Sequence, residues 1–211
     1  MANFENLVES VLSGKVDQVK ALVQDLINSG VNPLEIINQG LIAGMNVVGV
    51  RFKKGDMYVP EVLMSARAMA MGIELVKPLI DVKDMTSIGT VALGTVKGDL
   101  HDIGKNLVRM MLESGGFTVI DIGVDAEPDK FVKAVKEHKV QIVAMSALLT
   151  TTMMGMKETI ELLTEEGLRD KVKVIVGGAP ISHDFANEIG ADGFAADAAS
   201  AVDLCKKLLG A

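Results

Sequence analysis

The stretch GTVKGDLHDIGKNLV, Gly94 to Val108, follows a short apolar run, Ile88–Leu93, and passes into a helical pattern from Asp102 to Leu112. That is a strand, a polar loop and a helix in succession, and the same alternation continues downstream. Phe117–Ile120, Val140–Met145, Val172–Val176 and Gly193–Ala195 read as strands. Pro128–Glu137, Thr152–Leu163, Asp184–Ile189 and Ala198–Leu209 read as helices. Strands alternating with helices predict a parallel sheet covered on both faces. On such sheets ligands bind beyond the C-terminal strand ends, where Asp99, His101 and Gly104 lie.

Upstream the periodicity is helical throughout. Leu7, Val8, Val11 and Leu12 recur at helical spacing up to Gly14, and Val16, Val19, Leu22, Val23, Leu26 and Ile27 form a second stripe. Asn32-Pro33 opens a third helix, with Asn as cap and Pro in the first turn, running to about Phe52. Pro60 opens a fourth helix that stops near Pro78. These elements predict an antiparallel bundle over residues 1–85 and an α/β domain over residues 86–211, joined by a polar linker, Pro78 to Ser87.

The chain has 21 basic and 28 acidic residues, for a net charge of −7, and neither part is basic, which argues against nucleic acid. Hydrophobic residues at 49% exclude disorder. The longest uncharged run, Val140 to Met156, contains Gln141, Ser146 and three Thr, too polar for a membrane span. A single cysteine, Cys205, excludes an internal disulfide framework, and the opening MANFENLVES lacks a basic n-region and an apolar h-region. A cytoplasmic protein is the expectation.

Asp99 and His101, one residue apart on an extended loop, can turn to a common point. A carboxylate bonded to one imidazole nitrogen fixes the tautomer and leaves the other nitrogen free for a metal or a proton. Taken alone, the triplet is equally a capping Asp beside a loop His. His138 and His183 share no zinc spacing with His101, and neither a G-x-S-x-G elbow nor a GxGxxG fingerprint is present. One protein ligand makes sense for a metal whose other ligands come from a cofactor. Two further strand-end loops, MSALLTTT (Met145–Thr152) and VIVGGAP (Val174–Pro180), offer hydroxyls and a glycine pair that lets something flat press on the backbone, or serve as ordinary turns.

Together the pieces form a signature. D-x-H-x-x-G ends at Gly104, 41 residues precede Ser146 of S-x-L, and 28 residues separate Leu148 from Gly177 of G-G. This resembles the cobalamin-binding domains of methyltransferases and carbon-skeleton mutases. GMNVVGVRFKKGDMYVPEVLMSARAM, Gly44 to Met69, is similar to the helical cap of methionine synthase and of small corrinoid proteins, a cap the mutases lack. The resemblance covers nearly the whole chain. It implies a four-helix cap followed by a flavodoxin-like, Rossmann-like domain that takes up the nucleotide tail of cobalamin or a related corrinoid.

The resemblance also implies roles. His101 becomes the lower cobalt ligand, Asp99 accepts its other N–H, and Thr152 supplies the hydroxyl that is Ser in methionine synthase. Gly98, Leu100, Asp102, Ile103 and Gly104 belong to the same cofactor loop. Ser146, Leu148, Thr150, Gly177, Gly178 and Ala179 line the tail pocket. Phe52, Val59 and Val62 match cap residues over the upper face, Val59 standing where methionine synthase has a larger Leu.

The implied function is a corrinoid methyl carrier. Cobalt(I) accepts a methyl group from a one-carbon donor through a substrate-specific methyltransferase, and a second methyltransferase passes it to a thiol or tetrahydrofolate. A reductive activation protein would restore cobalt(I). Methanol, methylamines, betaines and methoxylated aromatics are all candidate donors. The rivals are a subunit or fragment of a methionine-synthase-like enzyme, whose homocysteine and folate modules these residues do not contain, and a cobalamin-dependent regulator, for which the acidic bundle offers no basic recognition helix.

Overall fold

The computed structural model describes residues 4–80 and 87–211. They fall into two compact units, Met1–Thr86 and Ser87–Ala211. The expected boundary at residues 85 and 86, and the linker charges Asp81, Lys83 and Asp84, lie outside the described residues.

The first unit is helical: α1 (Glu5–Leu12), α2 (Val16–Asn28), a single turn α3 (Pro33–Glu35), a π-helical stretch (Ile36–Ile42), α4 (Ala43–Lys53) and α5 (Val59–Val76). Asn32 caps the third segment, its Oδ1 accepting the Leu34 N–H at 2.9 Å, with Pro33 in the first turn. The expected single helix from Asn32 to Phe52 is therefore helical throughout but widens in its middle. Ile36 and Leu41 stand five residues apart, and both are fully buried. An α-helix would rotate them about 140° apart. A turn with i→i+5 bonding keeps both on the apolar face. α5 begins one residue earlier than expected, at Val59, and the Glu61 carboxylate accepts the Tyr58 N–H at 2.8 Å to close its first turn. Leu7, Val11, Val19, Val23, Val48 and Val62 are buried with Ile36 and Leu41.

The second unit contains β1 (Thr90–Val96), α6 (Ile103–Ser114), β2 (Thr118–Ala126), α7 (Pro128–Glu137), β3 (Ile142–Ser146), α8 (Met154–Glu165), β4 (Lys173–Gly177), α9 (His183–Glu188), β5 (Gly193–Ala195) and α10 (Ala198–Leu209). All strand pairs are parallel, in the order β2-β1-β3-β4-β5. This is the flavodoxin-like order, in which the crevice between β1 and β3 is the topological switch point. α6 packs with α10, and α7 with α8. The core is built from Phe131, Val143, Met145, Met156, Leu163, Val174 and Val176. Cys205 of α10 is fully buried, and burial pushes its thiol up to about 12.

Two strand ends differ from expectation. β1 runs on to Val96 rather than Leu93. β2 runs to Ala126 rather than Ile120, although Asp121, Gly123 and Asp125 break its apolar run. As an edge strand β2 pairs only with β1, and its polar side chains find partners off the sheet. Asp121 bonds Lys105 Nζ at 2.6 Å and Arg109 NH1 at 3.0 Å, both from α6. Burial works against that carboxylate, but bonds from Lys105 and the Gly123 N–H, with Arg109 nearby, hold it below the usual range.

Candidate functional site

The loop after β1 turns back over the strand ends. Thr95 is fully buried, and its hydroxyl donates to the His101 carbonyl at 2.9 Å. That proton being committed, the Ser146 hydroxyl, 3.0 Å away at the end of β3, donates to Thr95 in turn. Gly98 takes φ 77, a left-handed turn that glycine adopts without steric cost.

Asp99 is fully buried, and its carboxylate is the hub of the site. Oδ1 accepts the His101 backbone N–H at 3.0 Å and faces His101 Nδ1 at 2.7 Å. Oδ2 accepts the Leu148 N–H at 2.7 Å, the Leu149 N–H at 3.3 Å and the Thr152 hydroxyl at 2.9 Å. Burial opposes the charged form. The bonds from Leu148, His101 and Thr152 outweigh it and hold the carboxyl well below the usual aspartate range. The charge makes Nδ1 the protonated nitrogen of His101 and leaves Nε2 as the free one. The His101 side chain is 51% exposed. Thr152 has a second acceptor, the Leu149 carbonyl at 2.9 Å. Its single proton serves Asp99 or Leu149, one at a time.

The structure thus brings together Asp99, His101 and Thr152, with Leu148 and Ser146 beside them. Leu100, Leu148 and Leu149 on the β1–α6 and β3–α8 loops, with Ile103 and Met154 at the first positions of α6 and α8, are large apolar side chains left exposed. Thr150 is also exposed there. Asp102 precedes α6 and accepts from Asn106 Nδ2 at 3.1 Å. Gly104 is exposed on the first turn of α6 with no positive φ, and a Cβ there would meet nothing within 4 Å. The chain itself does not require glycine at this position.

The glycine pair after β4 behaves differently. A Cβ on Gly177 would lie 2.8 Å from the Ala195 carbonyl oxygen. A Cβ on Gly178, at φ 129, would overlap the Ala147 carbonyl oxygen and sit 3.1 Å from its nitrogen. What presses on these two residues is the chain's own backbone, from β5 and from the loop after β3, so their glycines are explained by strand-end packing. Ala179 is exposed beside them. In the helical unit, Phe52 and Val59 are half-buried and Val62 is fully buried.

Sequence reading missed two residues. One is Thr95, hidden inside an apolar strand. The other is Asp125, whose carboxylate accepts the Gly98 N–H at 2.7 Å while its own N–H donates to the Asp99 carbonyl at 2.9 Å. Its only sequence signal is a polar residue at the end of β2.

Among the described residues no three His, Cys, Asp or Glu side chains gather into a cation site. A lone imidazole with its second nitrogen anchored, an apolar rim, and open space beside Gly104 fit a metal that arrives inside a large apolar macrocycle. Among the described residues no helix is long and apolar enough to cross a membrane.

Comparison with known proteins agrees with this fit. Two family models, each described as a B12 binding domain, match residues 89–203 and residues 4–77. The chain is 47% identical over 206 residues to the dimethylamine corrinoid protein of Methanosarcina barkeri, covering 97% of this chain and 96% of that protein. It is 42% identical over 215 residues to the trimethylamine corrinoid protein of the same organism, covering 99% of both. Among solved structures, the methanol:cobalamin methyltransferase complex MtaBC from Methanosarcina barkeri matches with a TM-score of 0.87 and 32% identity, over 98% of this chain and 79% of that one. A cobalamin-binding protein from Desulfitobacterium hafniense DCB-2 matches with a TM-score of 0.83 and 31% identity, over 98% of both chains. The chain therefore belongs to the family of B12-binding corrinoid proteins, and its cofactor is cobalamin or a related corrinoid.

Proposed function

We propose that this chain is the methyl-carrying corrinoid protein of a methyltransferase system, with His101 as the lower ligand of the metal. The observation that carries the reading is the bonded series Thr152–Asp99–His101, which leaves one imidazole nitrogen free. When bound, the corrinoid supplies the cobalt nucleophile that takes up and releases the methyl group.

The chain's own residues prepare that site. Asp99 fixes the tautomer in which Nδ1 carries the proton and Nε2 carries the lone pair. A proton on Nε2 would occupy the lone pair and remove His101 as a ligand. The Thr152 hydroxyl can turn from Asp99 to the Leu149 carbonyl, so the charge on Asp99 can be more or less compensated without moving the backbone. We assign Gly98, Leu100, Asp102, Ile103 and Gly104 to the cofactor loop, and Ser146, Leu148, Thr150, Gly177, Gly178 and Ala179 to the nucleotide-tail pocket. Phe52, Val59 and Val62 are assigned to the corrin's upper face by the same resemblance.

The partners we propose are a substrate-specific methyltransferase, a second methyltransferase and a reductive activation protein. The names of the dimethylamine and trimethylamine relatives favour a methylated amine as donor. His101→Ala protein loaded with cobalamin and reduced to cobalt(II) should lose the nitrogen superhyperfine splitting of its electron paramagnetic resonance spectrum. Labelling the wild type with ¹⁵N-histidine should change that splitting. A protein-derived nitrogen signal persisting in the variant would remove His101 as the ligand.

Gly104 gives a separate test of the cofactor face. Gly104→Val places its side chain in open space and replaces glycine with a somewhat better helix former, so the apoprotein should unfold at a urea midpoint equal to or slightly above wild type. Corrinoid affinity, read as retention on gel filtration, should fall by about 5- to 150-fold, as overpacking against a ligand costs about 1–3 kcal/mol. Undiminished retention would take Gly104 out of the site.

A further inference from the structure

The loop that presents His101 is gripped by one residue of a different strand end. Asp125 lies at the penultimate position of β2 with φ 48, and it is the one non-glycine residue with positive φ among the described residues. That conformation is disfavoured for residues with a side chain, and Asp is among the few that tolerate it. The parallel register of β1 with β2 breaks between Gly94 and Val96, which sets the end of β2 beside the turn leaving β1. From this position Asp125 makes two bonds in opposite directions. Its Oδ1 accepts the Gly98 N–H at 2.7 Å, and its own N–H donates to the Asp99 carbonyl at 2.9 Å.

Both bonds fall on the Gly98–Asp99 dipeptide, one at each end. Together they fix its rotation about the chain axis, and so the direction in which the Asp99 side chain leaves the backbone. That direction brings the Asp99 carboxylate between Leu148 and His101. A glycine at residue 125 would satisfy the backbone conformation better than aspartate. What the aspartate adds is the acceptor for Gly98. The neighbouring cation does not claim that acceptor, because Lys97 pairs with Glu127 at 3.0 Å.

We propose that Asp125 is a positioning residue for the lower ligand of the corrinoid: by clamping Gly98–Asp99 it aims the Asp99–His101 pair. The inference rests on His101 being that ligand. Strain at a residue away from the chemistry is retained here because it orients the site.

The test uses the full chain loaded with cobalamin and reduced to cobalt(II). Asp125→Gly keeps the backbone conformation and the N–H to Asp99 but removes the acceptor for Gly98. The ratio of nitrogen-ligated to unligated cobalt(II) should fall about tenfold, the usual scale for loss of an outer-shell partner of a metal ligand. Corrinoid stoichiometry and the thermal midpoint should stay near wild type, since glycine relieves the positive φ. Asp125→Asn keeps both the acceptor and the tolerance for φ 48, and it should restore the wild-type spectrum. In the apoprotein, the Gly98 amide should exchange its hydrogen slowly in wild type and Asp125→Asn, and faster in Asp125→Gly.

A wild-type nitrogen signal in Asp125→Gly overturns the proposal. So does an Asp125→Asn signal as weak as that of Asp125→Gly, or rapid exchange at Gly98 in the wild type. His101→Ala run in parallel separates the two ideas. If it keeps the splitting, the ligand assignment falls and takes this inference with it. If it loses the splitting while Asp125→Gly does not, the positioning role falls alone.

Discussion

Gly178→Val should unfold the apoprotein far more readily than any substitution on the exposed rim of the site. The added Cβ would overlap the Ala147 carbonyl oxygen, and the φ of 129 is one that residues with side chains rarely adopt. Neither problem has a cheap escape. The obstructing atom is backbone, and the Ala147 N–H is held by the Gly177 carbonyl at 3.2 Å. Strained backbone and overpacking each cost about 1–3 kcal/mol, so a loss on the order of 4 kcal/mol is expected against a total stability of about 5–15 kcal/mol. Urea denaturation of the apoprotein followed by circular dichroism measures it. A midpoint equal to that of Gly104→Val would mean that the loops after β3 and β4 part easily, and that the glycine pair is kept for the ligand alone.

The second large effect is at Asp99. Asp99→Ala removes the acceptor of the Leu148, Leu149 and His101 N–H groups and of the Thr152 hydroxyl. Thr152 can turn to Leu149, and the imidazole can reach water, but three amide donors lose their buried partner, those of Leu148 and His101 in short bonds and that of Leu149 in a long one. At about 1–3 kcal/mol for each of the two donors in short bonds, a loss of roughly 2–6 kcal/mol is expected at neutral pH.

The pH dependence has a definite sign. The Asp99 carboxyl is held below its ordinary value of 3.8 by the bonds of the folded state. Its contribution is complete above about pH 5 and is lost progressively as the pH falls through and below the unfolded value, because the unfolded chain takes up the proton first. The gap in stability between wild type and Asp99→Ala should therefore be widest near pH 7 and narrow on acidification below about pH 5. A gap independent of pH would show that the alanine variant fails through packing rather than through the lost carboxylate. In the cobalt(II) form, Asp99→Ala should also weaken the nitrogen ligation, since His101 loses the partner that fixes its tautomer.

Much of this protein is legible in the residues themselves. Helical periodicity up to Val76 and strand–helix alternation after Thr90 are local properties of the chain, set by side-chain spacing and by caps such as Asn32-Pro33. Asp99 and His101 are two residues apart, so one loop is enough to bring them together, and Ser146 and Thr152 belong to strand ends whose positions follow from a parallel sheet. The family signature adds their spacing. The sequence alone thus determines the architecture, the cofactor class and the central Asp–His pair.

The tertiary structure decides what depends on contacts between segments distant along the chain. Residue 125 enters the site only because the register of β2 against β1 breaks at Gly94, which no local pattern encodes. Thr95 looks like one more strand residue until the loop folds back and sets the His101 carbonyl above its hydroxyl. The glycine pair after β4 reads from sequence as room for a ligand, yet its side-chain positions are filled by backbone from Ala147 and Ala195, while the room lies at Gly104. The π-helical stretch reconciles a five-residue apolar spacing with one buried face. In each case the deciding quantity is which backbone atom lies across the gap. That is fixed when the strands and helices pack, because a buried polar group or a missing Cβ has meaning only in relation to the atoms it faces.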